Sequence, residues 1–246
     1  MLHPSISIVV PVLDEAQLIG PLLASLRRIA PEAEIIVVDG GSVDGTWSLA
    51  QSADVVLRAA RGRALQMNAG AAVANGDVLW FLHADLEVPS TAVNQIEHAL
   101  ADARVAGGCF GLRFPRREWI YRVSDSLGNM GVHLFGFALG DHGIFCRRTE
   151  FERVGRYPEV PILEDAELYR RLGKAGRMIQ LRDEIVSSPR AYERYGPYRT
   201  TLVYFMILAL YVLGVPIRWL NQVIYCRFRN PSTTAPIATD LARATH

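Results

Sequence analysis

Cysteine is scarce in this chain, and what there is stands unpaired. Cys109, Cys146 and Cys226 lie far apart with no Cys-x-x-Cys spacing, so neither a disulfide framework nor a zinc knuckle is indicated, and unpaired thiols fit a reducing cytoplasm. Charge of one sign is not in excess either. Lys and Arg number 26 against 25 Asp and Glu, a net charge of +1, so the balance gives no argument for nucleic acid, which would call for a basic stripe or domain. The familiar phosphate loops are missing. No Gly-x-Gly-x-x-Gly follows the first apolar run and no Gly-x-x-x-x-Gly-Lys-[Ser/Thr] occurs, which leaves dinucleotide-binding and P-loop folds unsupported. No basic segment precedes that first apolar run, and Pro11 and Asp14 interrupt it early, so no signal peptide is read.

What the sequence has in quantity is apolar residues in short runs. With 246 residues, 50% of them hydrophobic, the chain can bury one large α/β core or two small ones. Ser5–Val12, Glu34–Val38, Ala53–Leu57 and Val78–Leu82 read as strands, the first and last rich in β-branched or aromatic residues. Between them Ala16–Ile29, Trp47–Ser52 and Arg61–Ala74 read as helices; the small residues Ala64, Ala69, Gly70, Ala71 and Ala72 would let the last approach a sheet closely. This alternation predicts a mostly parallel, helix-covered sheet. Helices over Thr91–Ala101, Trp119–Asn129, Thr149–Val154 and Ala166–Gly173 and strands over Ala106–Phe114 and Gly143–Arg147 follow. The layout is one α/β domain over 1–190, its halves meeting near residue 90, then an apolar helical extension over 191–228. A Pro/Thr/Ala-rich tail, expected to be disordered, runs from 229 to 246.

Carboxylates recur where strands stop: Asp14 and Glu15, Asp39, and Asp85. One acid there is an ordinary turn or cap residue. Three on neighbouring strands suggest a site that grips hydroxyls, an amide edge or a metal ion, because open α/β sheets bind ligands at the carboxyl ends of their strands. The fullest case is Val78–Pro89, where five apolar residues end at His83-Ala84-Asp85. One residue between histidine and aspartate lets both face one ligand from an extended segment. Glu164-Asp165 opens a later helix, where an acidic pair also serves the helix dipole.

Together these residues resemble the family 2 inverting glycosyltransferases with a GT-A fold. The carriers are Val-Val-Pro-Val-Leu-Asp-Glu (9–15), Ile-Ile-Val-Val-Asp-Gly-Gly-Ser-x-Asp-Gly-Thr (35–46), Asn68-Ala69-Gly70, Gly76-Asp77, His83-Ala84-Asp85 and Glu164-Asp165. More narrowly, Gly140-Asp141-His142-Gly143-Ile144-Phe145 and Pro161–Leu168 look like a bacterial subgroup described as rSAM/selenodomain-associated or arsenosugar-biosynthesis transferases, which usually carries Gln where this chain has His142. The resemblance implies transfer of a sugar from a nucleoside-diphosphate sugar to an acceptor hydroxyl, with Asp165 as general base and Glu164 as second choice. It implies Mg²⁺ or Mn²⁺ at Asp85, with His83, which replaces the usual Asp, as a further ligand or a support for the diphosphate. Asp14 and Asp39 would contact the nucleotide base and ribose. Pro11, Leu13, Glu15 and Ala84 would shape that pocket, and Asp141 and His142 would line the acceptor side. Arg61, Arg63 and Gln66 lie on the segment that approaches the nucleotide in the family; a solvated helix face is the other reading of these three.

Leu202–Ile217 has no charge, is flanked by Arg199 and Arg218, and falls short of the ~20 residues needed to span a bilayer. A buried or homodimer-forming helix, a helix lying in a membrane surface and a short span all fit; its terminal aromatics and arginines favour the surface. A lipid-linked acceptor and a peripheral place at the inner face of the cell membrane would follow. Two other classes are weighed against the transferase. A non-catalytic nucleotide-sugar binder has no need of both Asp85 and Asp165. A sugar-phosphate nucleotidyltransferase should show a Gly-rich, basic signature between Val12 and Ile29, where none occurs.

Overall fold

The structure is a computed structural model and describes residues 4–228. Its elements in chain order are β1 (Ile6–Val12), α1 (Ala16–Ile29), β2 (Glu34–Asp39), α2 (Thr46–Ala50), β3 (Val55–Arg58), α3 (Arg63–Val73), β4 (Val78–Phe81) and β5 (Leu86–Glu87). There follow α4 (Ala92–Leu100), β6 (Val105–Arg113), α5 (Trp119–Phe135), β7 (Phe145–Arg147), α6 (Arg148–Arg153), α7 (Glu164–Ala175) and β8 (Arg177–Ser187). Three helices close the described chain, α8 (Arg190–Tyr195), α9 (Pro197–Val212) and α10 (Ile217–Phe228). The expected tail over 229–246 lies outside the described residues.

One eight-stranded sheet runs in the order β3-β2-β1-β4-β7-β6-β8-β5. β1 pairs in parallel with β2 on one side and β4 on the other, with Val12 opposite Asp39 and Val9 opposite Phe81. The chain therefore winds outward through β2 and β3 and then returns across β1 to lay down β4. Such a reversal leaves a crevice at the carboxyl ends of the strands on either side of it, and the loops after β1, β2 and β4 all open there. β7 runs antiparallel to both β4 and β6, which makes the sheet mixed, although β6 and β8 are again parallel.

The sheet core follows from the runs read in the sequence. Ile8, Val10, Ile35, Val37, Trp80 and Phe110 fill one face with α1, and Val9, Ile36, Val38, Leu79 and Phe81 fill the other with α3. Gly70 shows why α3 carries small residues. A methyl there would stand 2.4 Å from Val9 Cγ1, so only glycine lets the helix settle on β1. Two elements depart from expectation. α5 continues six residues past Asn129 to Phe135, stopping at Gly136 in the left-handed region, and β8 forms where periodicity gave no strand. β8 is half-buried over most of its length, which is why its pattern is indistinct.

Candidate active site

Two cavities meet at the crevice. The narrow one, about 340 Å³, lies over the ends of β1 and β4, and the wide one, about 930 Å³, extends toward α5, α7 and α9. Arg61, Arg63, His83, Asp85 and Arg190 line both and form the wall between them.

Of the residues expected to bind the sugar nucleotide, Pro11, Leu13, Glu15, Arg61, Arg63, Gln66, His83, Ala84 and Asp85 line the narrow cavity. Gln66 is buried and stitches the floor. Its amide donates to the carbonyls of Val12 and Val38, both at 2.9 Å, and so ties α3 to the ends of β1 and β2. A solvated helix face is thus the wrong reading for Gln66. Asp14 and Asp39 do not line either cavity. Asp14 is exposed, with φ of 55°, and its Oδ1 accepts the Val43 N–H at 2.9 Å. Asp39 is fully buried; its Oδ1 accepts from the Ser42 N–H and hydroxyl, while Oδ2 has no hydrogen bond and faces Arg58 Nε at 3.9 Å. Both acids are occupied in holding the 42–43 loop to the strand ends.

The wall carries dense charge. Arg190 reaches across from α8 and donates to both Glu15 oxygens, at 2.9 and 3.1 Å, and to Asp85 Oδ2 at 3.0 Å. His83, only 8% exposed, stands with Nδ1 3.4 Å from Asp141 Oδ1, and Asp141 Oδ2 accepts the Ser187 hydroxyl at 3.0 Å. Burial, the largest influence, would lower the His83 pKa, but the bond to Asp141 and the charges of Asp165 and Asp141 together outweigh it and the net shift is upward. Asp141 is correspondingly held down at about 2; burial, the largest influence, opposes this, and the partner imidazole with Arg63 and Ser187 prevails. Burial also works against the charge of Arg63, yet Glu164, Asp165, Asp141 and Asp85 surround its guanidinium and hold it charged.

Across from His83 lies the start of α7. Leu163 precedes it with φ of 59°, a left-handed conformation uncommon for a bulky residue, and the turn drives Glu164 and Asp165 into the wide cavity, where both are buried. Burial, then the neighbouring Asp165, raise the Glu164 pKa. Asp165 Oδ1 and His83 Nε2 are buried without hydrogen-bond partners. Gly140 separates them. A methyl there would fall 2.5 Å from His83 Nε2 and 2.7 Å from Asp165 Oδ2, so imidazole and carboxylate face each other over a glycine that leaves just enough room. Asn68 explains its own presence at a distance: its amide brackets the backbone of Tyr157, donating to the carbonyl and accepting from the N–H, both at 3.0 Å. The Tyr157 hydroxyl lies toward Asp165 but completes no hydrogen bond.

His142 is not part of either cavity. It is fully buried, its Nδ1 accepts the Leu139 N–H at 3.3 Å, and its ring packs against Gly128 of α5. Burial pushes its pKa down to about 4, so the expectation that it lines the acceptor side fails for want of access. Arg190, Ser187 and Tyr157 were not singled out in the sequence. None carries a local signal, since each acquires its place through a long-range contact.

Among the described residues no three His, Cys, Asp or Glu side chains come together as a metal cage. What Asp85 offers is one carboxylate at the cavity wall. That fits a divalent ion of the kind that keeps several waters and takes further oxygens from a phosphate ligand; it does not fit an ion held by protein alone.

The fold is that of the GT-A glycosyltransferases. A mannosyltransferase from Pyrobaculum calidifontis, solved with GDP-Man and Mn²⁺, superposes with a TM-score of 0.65 over 85% of this chain and 63% of its own, at 22% identity. Glucosyl-3-phosphoglycerate synthase from Mycobacterium tuberculosis, with Mn²⁺, UDP and glucosyl-3-phosphoglycerate, gives 0.58 over 87% and 81%, at 20% identity. The chain belongs to glycosyl transferase family 2, whose sequence profile matches residues 7–152. It is 32% identical over 213 residues to the succinoglycan biosynthesis protein ExoA of Rhizobium meliloti, covering 75% of this chain and 63% of that one. It is also 32% identical over 158 residues to the undecaprenyl-phosphate 4-deoxy-4-formamido-L-arabinose transferase of Pseudomonas fluorescens, covering 58% and 46%. The chain thus spans less than two thirds of these relatives' lengths.

Proposed function

We propose that the protein transfers a sugar from a nucleoside-diphosphate sugar to an acceptor hydroxyl with inversion at the anomeric carbon. The observation that carries this reading is the buried, unpartnered Asp165 oxygen at the junction with the wide cavity, on the opposite side of the charged wall from the narrow one. The nucleotide would lie in the narrow cavity, over Pro11, Leu13 and Gln66, with its diphosphate at the wall beside Arg61, Arg63 and Asp85. The acceptor would enter by the wide cavity with its hydroxyl at Asp165.

Asp165 would take the proton of that hydroxyl as it attacks, which a carboxylate can do within hydrogen-bonding reach. Glu164, its pKa raised, is the second choice. Arg63 meets the negative charge that builds on the departing diphosphate. Asp85, sharing the ion with phosphate oxygens, would hold Mg²⁺ or Mn²⁺, which would neutralise the same charge. His83 is engaged with Asp141 through Nδ1 and turns Nε2 toward Gly140 and Asp165, which favours a supporting role over metal ligation. The apolar segment 202–217 and the likeness to a transferase named for an undecaprenyl-phosphate substrate support a lipid-linked acceptor and a peripheral position at the inner face of the cell membrane.

Asp165→Asn tests the base. Transfer should fall ~10²–10⁴-fold while UDP or GDP still raises the melting temperature of the variant. Wild-type turnover in Asp165→Asn, or transfer unaffected by a chelator, would remove the base or the metal from the scheme.

A further inference from the structure

Apolar surface is distributed very unevenly. Among the described residues, every large exposed hydrophobic except Val43, Leu49 and Val73 lies on α5, α9, the turn after α9, or α10. α5 and α9 run side by side in the same sense: the Trp119 and Tyr198 rings are 5.7 Å apart, Ser124 and Thr201 share a hydrogen bond of 2.8 Å, and further along Phe137 meets Tyr211 edge-on. Trp119, Val123 and Leu134 of α5, Leu202 and Phe205 of α9, and Trp219 of α10 are exposed. A patch of this make-up marks an interaction surface.

We propose that this α5–α9–α10 face docks on an anionic lipid bilayer surface, with the mouth of the wide cavity opening onto it. Three observations choose the occupant. Arg117, Arg122 and Arg218, with Glu118 the one exposed acid among residues 117–123, are exposed on or next to the helices that carry it, and from Arg194 to Thr239 the sequence has five arginines and no Asp or Glu, a balance suited to anionic headgroups. Tryptophan and tyrosine with basic neighbours are the side chains that settle at the headgroup level. The surface is also continuous with the cavity, because Phe205 is half exposed and lines it. No described helix is long and apolar enough to cross a membrane; the 16 residues of α9 extend about 24 Å against a hydrocarbon core of about 30 Å. The face therefore lies on the bilayer. This deepens the transferase reading, since an amphiphilic acceptor would slide from the lipid along α9 to Asp165, but the docking itself needs no donor and is measured without one.

The test is co-sedimentation of the full-length chain with vesicles of phosphatidylcholine alone or mixed with phosphatidylglycerol. The wild type should pellet with the anionic vesicles and be released by high salt. Trp119→Ser with Trp219→Ser should lower the bound fraction about tenfold, and Arg122→Glu with Arg218→Glu should abolish the preference for phosphatidylglycerol, both with unchanged circular dichroism and melting temperature. Wild-type protein that stays in solution with both vesicles overturns the proposal. So does a dimer by light scattering that the tryptophan pair dissociates, which would make the face an interface between copies. Loss of transfer in Asp165→Asn bears on the chemistry alone and leaves this result standing.

Discussion

The narrow and wide cavities share one wall but are built by opposite means. The narrow one rests on parallel strands whose ends are fixed by backbone register and by one glutamine, Gln66, bonded to two strand carbonyls. The wide one is roofed by helices, and its polar end depends on side chains that meet only through the tertiary fold: His83 with Asp141, Asp141 with Ser187, Arg190 with Asp85. A site held by backbone tolerates side-chain change. A site held by side chains does not.

The sharpest way to break this contrast is a pair of glycine substitutions. Gly140→Ala would force a methyl to 2.3 Å from His83 Cε1 and 2.7 Å from Asp165 Oδ2, displacing the two groups beside which the proposed reaction puts the acceptor hydroxyl. Misplacement by about 1 Å at a reacting centre costs on the order of 10²-fold, so transfer should fall at least that far while nucleotide binding in the narrow cavity persists. Gly70→Ala should do the reverse: overpacking against Val9 costs ~1–3 kcal/mol of stability, read as a lower urea midpoint, with turnover per folded molecule kept. If Gly140→Ala turned over normally, the acceptor hydroxyl would not be placed beside Gly140 and the base assignment to Asp165 would lose its geometric support.

The same contrast decides what could be read in advance. The strands β1, β2 and β4 announce themselves through apolar runs that stop at Asp14, Asp39 and His83, and their parallel order follows from the helices between them. The acids at their ends were visible for the same reason, yet their roles were not. Asp14 and Asp39 look like Asp85 in the sequence, and only the fold shows that one oxygen of each of the first two holds a loop. His142 likewise sits in a motif beside Asp141 but turns into the protein, because a 3-10 turn over Gly140–His142 sets successive side chains about 120° apart. Arg190 was invisible: its partners lie 175 and 105 residues earlier in the chain, and no periodicity carries that information.

His83 and His142 sharpen the comparison at the level of protons. His142 is kept neutral by burial, with a pKa of about 4, whereas an unfolded histidine titrates near 6.5. Between those values the unfolded chain binds the extra proton, so stability is lost as pH falls from about 6.5 to about 4, on the order of 3 kcal/mol at the end of the window. His83 has the opposite sign. Its folded pKa is raised, so its contribution is complete below about 6.5 and is lost as pH rises through the folded value. Urea midpoints measured across this range should show His142→Gln losing the acid-side slope and His83→Gln losing the alkaline-side one. An unchanged acid limb in His142→Gln would mean that another group supplies it.

The smallest expected effect concerns Arg190, the link between the two cavities that the side chains alone provide. Its guanidinium is half exposed, and the Glu15 and Asp85 carboxylates it bridges each keep 22% of their surface. Exposed ion pairs of this kind contribute only ~0–1 kcal/mol, so Arg190→Gln should shift the melting temperature little. Its consequence should appear at Asp85 instead. The arginine occupies Asp85 Oδ2, and a cation already held on the carboxylate weakens the binding of a second by repulsion. Removing it should therefore lower the Mn²⁺ concentration at which nucleotide binding reaches half its maximum, by a few-fold in a titration followed by thermal shift. A rise in that concentration would place Arg190 with the diphosphate, as a ligand the ion works beside, and would join the two cavities through the substrate where they are now joined through the protein.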